Sequence, residues 1–157
     1  IKSKKAGIKL ITLKEALQKK SEIQLCNPSP SSWGQGGFHN YWLNDSNSWI
    51  VNEWSKAGRE MINISSKGLE NESNIKILKQ AARELLLSQS SDWSFILKAG
   101  TTTELARGRI NLHIKRFWIL INTIKDNKII ETNFLEEIEK EDCIFPLISP
   151  IDWKRKI

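Results

Sequence analysis

From Asn47 onward the apolar residues recur at spacings of three and four, a period that fits amphipathic helices and not strands. Ile50, Trp54, Ala57, Met61 and Ile64 share one face of the first such run. Ile75, Leu78, Ala82 and Leu85 form the stripe of a second, which Ala81, Leu86 and Leu87 widen. Ile110, Ile114, Phe117, Ile121 and Ile124 trace a third that reaches about Lys125, with Thr101 to Thr103 as its cap and Glu104 in its first turn. This third run is the longest helix expected. The pattern predicts a mainly α fold, a bundle of about four to five helices with little sheet. At 157 residues the chain has room for one domain with a real core, so residues 1–157 are read as a single helical domain.

Shorter elements complete the outline. Thr12 and Glu15 make a capping-box pair for a helix to about Lys20, after a lead at Gly7–Ile11 that is either extended or a short strand. Gly58, inside the first long helix, is expected to mark the close approach of a neighbouring backbone, and Ser65 to Ser73 reads as a polar break. Trp93 to Leu97 reads as an aromatic turn closed by Gly100. Asn133 and Glu136 pair to start a helix to about Lys140, and Pro146 and Pro150 make the tail extended.

Residues 21–46 read as irregular structure, and a loop of that length in a compact domain is usually functional. Its centre is Ser31-Ser32-Trp33-Gly34-Gln35-Gly36-Gly37-Phe38-His39-Asn40-Tyr41-Trp42, where three glycines and four aromatic residues crowd together. Pro28 and Pro30 stiffen the approach. Such a loop either displays flat rings to a ligand or tucks its tryptophans back into the core. Trp49, Trp54 and Trp118 fall within helical patterns and are read as core or interface residues.

Charge narrows the ligand. The net charge of +6 would attract nucleic acid if it were clustered, but much of the excess sits at the ends, on Lys2, Lys4, Lys5, Lys154, Arg155 and Lys156. Residues 27–55 contain no lysine or arginine, so a phosphate backbone finds no counter-charge beside the loop. An indole face still offers the C–H face of a pyranose a large apolar contact, which turns the expectation from nucleic acid towards sugar. Asp92, between a serine run and Trp93, is placed either to accept from sugar hydroxyls or to cap the following turn.

A catalytic apparatus is not legible. His39 and His113 are isolated, and His113 is read as a structural histidine on the long helix. Gly34-Gln35-Gly36-Gly37 lacks the lysine and hydroxyl residue of a phosphate-cradling loop. Cys26 and Cys143 lie far apart with no partner at metal-ligand spacing, so neither a disulfide framework nor a metal site is expected, and a cytoplasmic setting is the default. No apolar run is long enough to span a bilayer.

The ordered set Ser31-Ser32-Trp33-Gly34-Gln35-Gly36-Gly37, Trp42-Leu43-Asn44, Asn47-Ser48-Trp49-Ile50, Gln80 to Leu87 and Ser90-Ser91-Asp92-Trp93-Ser94-Phe95 resembles the C-terminal helical domain of family 57 glycoside hydrolases of the 1,4-alpha-glucan branching group. The resemblance runs from about Gly7 to the tail. It implies that the catalytic glutamate and aspartate belong to an N-terminal (β/α) barrel absent from this chain, which would make the chain a fragment without catalytic residues or cofactor. It implies α-1,4-glucan as substrate, contacted by Trp33, Trp42 and Asp92, with Gly34 and Thr101 as further candidates. Thr101 and Leu105 stand where the family often has glutamine and tyrosine. The alternatives are a domain of a family 57 amylase or 4-α-glucanotransferase, or a basic helical module that binds nucleic acid.

Overall fold

The computed structural model describes residues 7–19, 25–68 and 71–154. Lys20 and residues 21–24 of the expected irregular stretch lie outside these, as do residues 69–70 of the expected polar break and all the basic terminal residues named above except Lys154. Contacts divide the chain into two units, Ile1–Ser31 and Ser32–Ile157.

Within the first unit, helix α1 (Leu13–Lys19) starts as its capping pair predicts. The Glu15 carboxylate accepts from the Thr12 backbone N–H at 2.8 Å, and the Thr12 hydroxyl accepts from the Glu15 N–H at 3.2 Å, so two otherwise orphaned donors are satisfied reciprocally. Gly7 lies in a turn, and Ile8 to Ile11 form neither strand nor helix.

The second unit is built from α2 (Ser48–Lys67), α3 (Glu72–Ser88), α4 (Ser91–Ala99), α5 (Thr103–Lys125) and α6 (Thr132–Glu141). No strand occurs among the described residues, so the helical period is realised as a helical bundle. The α3 and α5 pair makes the most extensive interhelical contact and forms the spine. Around it Ala57, Met61 and Ile64 of α2, Leu78, Ala82 and Leu85 of α3, Phe117 and Ile121 of α5 and Ile138 of α6 close one apolar core. A smaller cluster of Ile50, Leu97, Ala106 and Ile110 lies beneath half-buried Trp49, Trp54 and Trp93. All of these buried positions on α2 and α5 fall on the faces that the spacing marks, apart from Ala106.

Several local expectations are corrected. The first long helix does not break at Ser65 but continues to Lys67, with Ser65 buried, because its apolar face remains covered. Gly58 has open space where a Cβ would lie, so no backbone approaches it. Trp93 to Leu97 is not a turn but the body of α4, held to the end of α3 by the Trp93 indole N–H, which donates to the Leu87 carbonyl at 2.8 Å. Gly100 closes α4 in the left-handed conformation that favours glycine, φ 77°. Neither Thr102 before α5 nor Glu131 before α6 makes a side-chain cap, and Asn133 lies inside α6. The tail is not simply extended: Pro150–Trp153 forms a 3-10 turn with Ser149 and Asp152 as its capping box, the fixed φ of proline suiting the first helical position.

Several polar residues on the faces of α3 and α5 find one another. Glu84 of α3 is fully buried, its Oε1 accepting from Gln80 Nε2 at 2.8 Å and its Oε2 lying 2.8 Å from His113 Nδ1 on α5. Gln80 Nε2 also donates to the Ile138 carbonyl of α6 at 3.1 Å, and Arg116 Nη1 donates to Asp142 at 2.8 Å. Partial burial alone would lower the Arg116 pKa, but the hydrogen bond to Glu141 and the charges of Glu84, Glu141 and Asp142 outweigh it and raise the pKa above the usual arginine range. His113 is thus a structural histidine, within a network that ties three helices together.

Candidate functional site

The loop from Ser32 to Asn47 folds on itself before α2 begins. The Ser32 N–H donates to the Gly37 carbonyl at 2.7 Å, the Ser32 hydroxyl donates to the Phe38 carbonyl, and the Gly34 N–H donates to the Ser32 hydroxyl at 3.1 Å. Gly36 and Gly37 take φ of 70° and 76°, a region costly for residues with a Cβ, so the turn between Gln35 and Phe38 needs glycine. Gly34 is required for another reason. Its own φ is ordinary, but a Cβ there would meet Trp42 Cζ3 at 2.8 Å and the Phe38 carbonyl at 3.1 Å. The Trp42 ring therefore packs directly on bare backbone.

Trp42, half-buried on Gly34, meets Trp33 edge to face, with ring centroids 4.9 Å apart and planes at 74°. Trp33 is 80% exposed. Two rings that spacing did not single out join them. Phe95, from α4, lies 6.3 Å from Trp33 at an interplanar angle of 27°, and Tyr41 stacks on Phe95 at 4.8 Å and 14°. Trp33 thus faces solvent, and Trp42 is the ring beneath it.

Asp92 is exposed in the first turn of α4 and does not cap that helix, whose cap position is Ser90; its carboxylate instead accepts from the Ser90 hydroxyl at 3.1 Å. Because Asp92 and Phe95 are three residues apart on a helix, they share a face, which puts a solvent-facing acceptor beside the aromatic rings. Thr101, also exposed, follows Gly100 past the opposite end of α4, a helix that runs about 10 Å from Asp92 to Ala99 at 1.5 Å per residue. The structure thus brings Trp33, Trp42 and Gly34 together, places Asp92 on the helix that carries Phe95, and leaves Thr101 at the far end of that helix.

No carboxylate pair of catalytic kind stands among the described residues of this wall. The groups closest to a metal-binding set lie elsewhere, in Glu84, His113 and Asp142, whose ligand atoms fall within 4.8 Å of one another. Their chemistry argues against an ion: both Glu84 oxygens already have partners, and the Arg116 guanidinium donates to Asp142 where a cation would sit. One cation approaches a tryptophan that a linear reading leaves without one. Arg107 of α5 lies 5.7 Å above the Trp49 ring, so that face is covered and not displayed.

Tyr41, Phe95 and Asn47 are the residues that sequence reasoning missed. Tyr41 stands in the aromatic loop, and Asn47 and Phe95 stand in stretches that carry the family resemblance, but none was singled out there as a site residue.

The domain family described as "1,4-alpha-glucan branching enzyme, C-terminal" matches residues 53–153. The 1,4-alpha-glucan branching enzyme TK1436 of Thermococcus kodakarensis is 32% identical over 148 residues, which cover 88% of this chain and 21% of that protein. The chain therefore spans about a fifth of that relative's length. Among solved structures, the GH57-type branching enzyme of Pyrococcus horikoshii superposes with a TM-score of 0.86 at 27% identity, covering 99% of this chain and 30% of that one. The Thermotoga maritima α-amylase AmyC gives 0.74 at 33% identity, covering 96% and 27%. With the family matched over well over half of its residues and the superposition covering nearly all of it, the chain belongs to the C-terminal domain family of the GH57-type 1,4-alpha-glucan branching enzymes.

Proposed function

We propose that this domain forms the glucan-holding wall of a 1,4-alpha-glucan branching enzyme. The observation that carries the reading is Trp33, a large indole 80% exposed to solvent yet held in a fixed attitude by Trp42 and Phe95. Leaving such a surface in water forgoes burial that an ordinary core tryptophan would gain, and a pyranose C–H face recovers it. Asp92 supplies an acceptor for glucose hydroxyls beside the rings.

The reaction requires a further domain. In retaining glucan transfer one carboxylate attacks the anomeric carbon as the α-1,4 bond breaks, and the other gives its proton to the departing 4-oxygen. A 6-hydroxyl of another chain then attacks the glycosyl ester, returns a proton to the acid/base and leaves an α-1,6 branch. The two carboxylates must stand about 5 to 5.5 Å apart. We assign them to a barrel in the same polypeptide and assign to this domain the holding of donor or acceptor chain and the exclusion of water, which would otherwise take the place of the acceptor. Exposed Cys26 and Cys143 suit the reducing cytoplasm where such an enzyme would work.

The similarity to an α-amylase favours one second reading, in which water is the acceptor. Product analysis of the whole enzyme on amylose separates the two. New α-1,6 linkages without a matching rise in reducing ends support transfer, whereas reducing ends alone support hydrolysis. Trp33→Ala in that enzyme should leave folding intact and cut branching by about tenfold or more, as loss of an exposed stacking face does.

A further inference from the structure

The geometry points to Asn47 as the positioning residue of the aromatic wall, a role that rests on the glucan-holding reading for its purpose but not for its geometry. Asn47 is fully buried, at the residue that precedes α2. An asparagine there ordinarily spends its side-chain oxygen on the first backbone N–H groups of the helix. This one makes no such cap. Its Oδ1 accepts from the Asn44 N–H at 2.8 Å, while Nδ2 donates to the Tyr41 carbonyl at 2.9 Å and to the Ser94 carbonyl at 3.2 Å.

Both amide hydrogens therefore join the display loop to α4. One of the carbonyls they hold belongs to Tyr41 and the other to the residue before Phe95, and these are the two rings that stack at 4.8 Å. Phe95 in turn lies beside Trp33. Asn47 and Ser94 are both buried, so water is no substitute partner on the α4 side, while the half-buried Tyr41 carbonyl has Asn44 Nδ2 as a second, longer donor at 3.5 Å. Asn47 acts on glucan through these rings and touches none of it.

Two substitutions separate bridging from helix starting. Serine and aspartate are both good residues at the start of a helix, but serine is too short to bridge Tyr41 and Ser94, and aspartate has the shape of asparagine without its donors. The test is 19F NMR of the complete polypeptide carrying 5-fluorotryptophan, with resonances assigned by single Trp→Phe variants. Trp118 of α5, edge-on to Phe117 at 5.2 Å, serves as the internal reference for an intact core. Asn47→Ser and Asn47→Asp should both move the Trp33 resonance towards its value in unfolded chain and leave Trp118 in place. Phe95→Leu should move Trp33 in the same direction. Affinity for maltoheptaose should fall about tenfold in each variant.

If the Trp33 resonance stays put in both Asn47 variants, or if Trp118 moves with it to the unfolded position in both, the positioning role is overturned. Should the unsubstituted polypeptide fail to bind maltoheptaose, the glucan-holding reading falls, and the Trp33 shift still decides whether Asn47 sets the wall.

Discussion

Replacing Glu84 with alanine should be among the most damaging single changes to this domain, although the residue is far in sequence from the display loop. The carboxylate is fully buried, and its two oxygens serve Gln80 Nε2 and His113 Nδ1, each at 2.8 Å. Removal leaves Gln80 with the Ile138 carbonyl alone as acceptor for its amide and leaves His113 with Asp142 at 3.8 Å, beyond hydrogen-bond range. Breaking one side of a buried polar pair costs about 3–5 kcal/mol, much of it from the partner left unsatisfied. Against a typical domain stability of about 5–15 kcal/mol this is a large share, and in a domain of this size it lowers Tm by roughly 6 to 20 °C. The assay is urea unfolding followed by far-UV circular dichroism. Because the loss arises from orphaned partners, Glu84→Leu combined with His113→Leu should cost less than the two single changes added together, by more than about 1 kcal/mol. A Glu84→Ala variant within about 0.5 kcal/mol of the parent, or strictly additive leucine changes, would show that Gln80 and His113 do not depend on the carboxylate.

Further outcomes follow from the same contacts. Gly34→Ala should destabilise by about 1–3 kcal/mol, since its Cβ would stand 2.8 Å from Trp42 and 3.1 Å from a carbonyl, and should expose Trp42 to acrylamide quenching. Phe117→Ala, at a fully buried ring of the main core, should cost about 3–5 kcal/mol in the same unfolding assay. Trp33→Ala should change stability by only about 0.5 kcal/mol, because most of that ring already faces water. Thr101→Ala, at the far end of α4 from Asp92, should leave maltoheptaose affinity unaltered within about twofold, whereas Asp92→Asn should weaken it; titration calorimetry reads both.

The helices were legible because their buried faces repeat. Ile50, Ala57, Met61 and Ile64 on α2 and Ile110, Phe117, Ile121 and Ile124 on α5 are buried as their spacing requires. Helix ends were less so, since a cap depends on dihedrals as much as on residue type: Thr102 sits at φ 39°, ψ 36°, from which its hydroxyl makes no cap. His113 was legible as a structural histidine, but its buried partners Glu84 and Gln80 were not. Polar residues on an inward face make sense only once α6 delivers its carbonyl and Asp142 from residues far along the chain.

The display loop was half legible. Trp33, Gly34 and Trp42 lie close in sequence, and their mutual packing follows from glycine beside aromatic residues. Tyr41 against Phe95, and Asn47 against Ser94, are contacts across about fifty residues that no local spacing encodes. The same limit hid Arg107, which covers Trp49 from a helix well outside the stretch that has no cations of its own.

The proposed glucan-holding role requires Trp33 to face the bound chain. Oxidation of the complete polypeptide by N-bromosuccinimide, with each tryptophan followed by mass spectrometry, tests that most directly. Trp33 should react readily in the free protein and be protected by maltoheptaose but not by cellohexaose, with Trp118 indifferent to both. Equal oxidation of Trp33 with and without maltoheptaose would contradict the account.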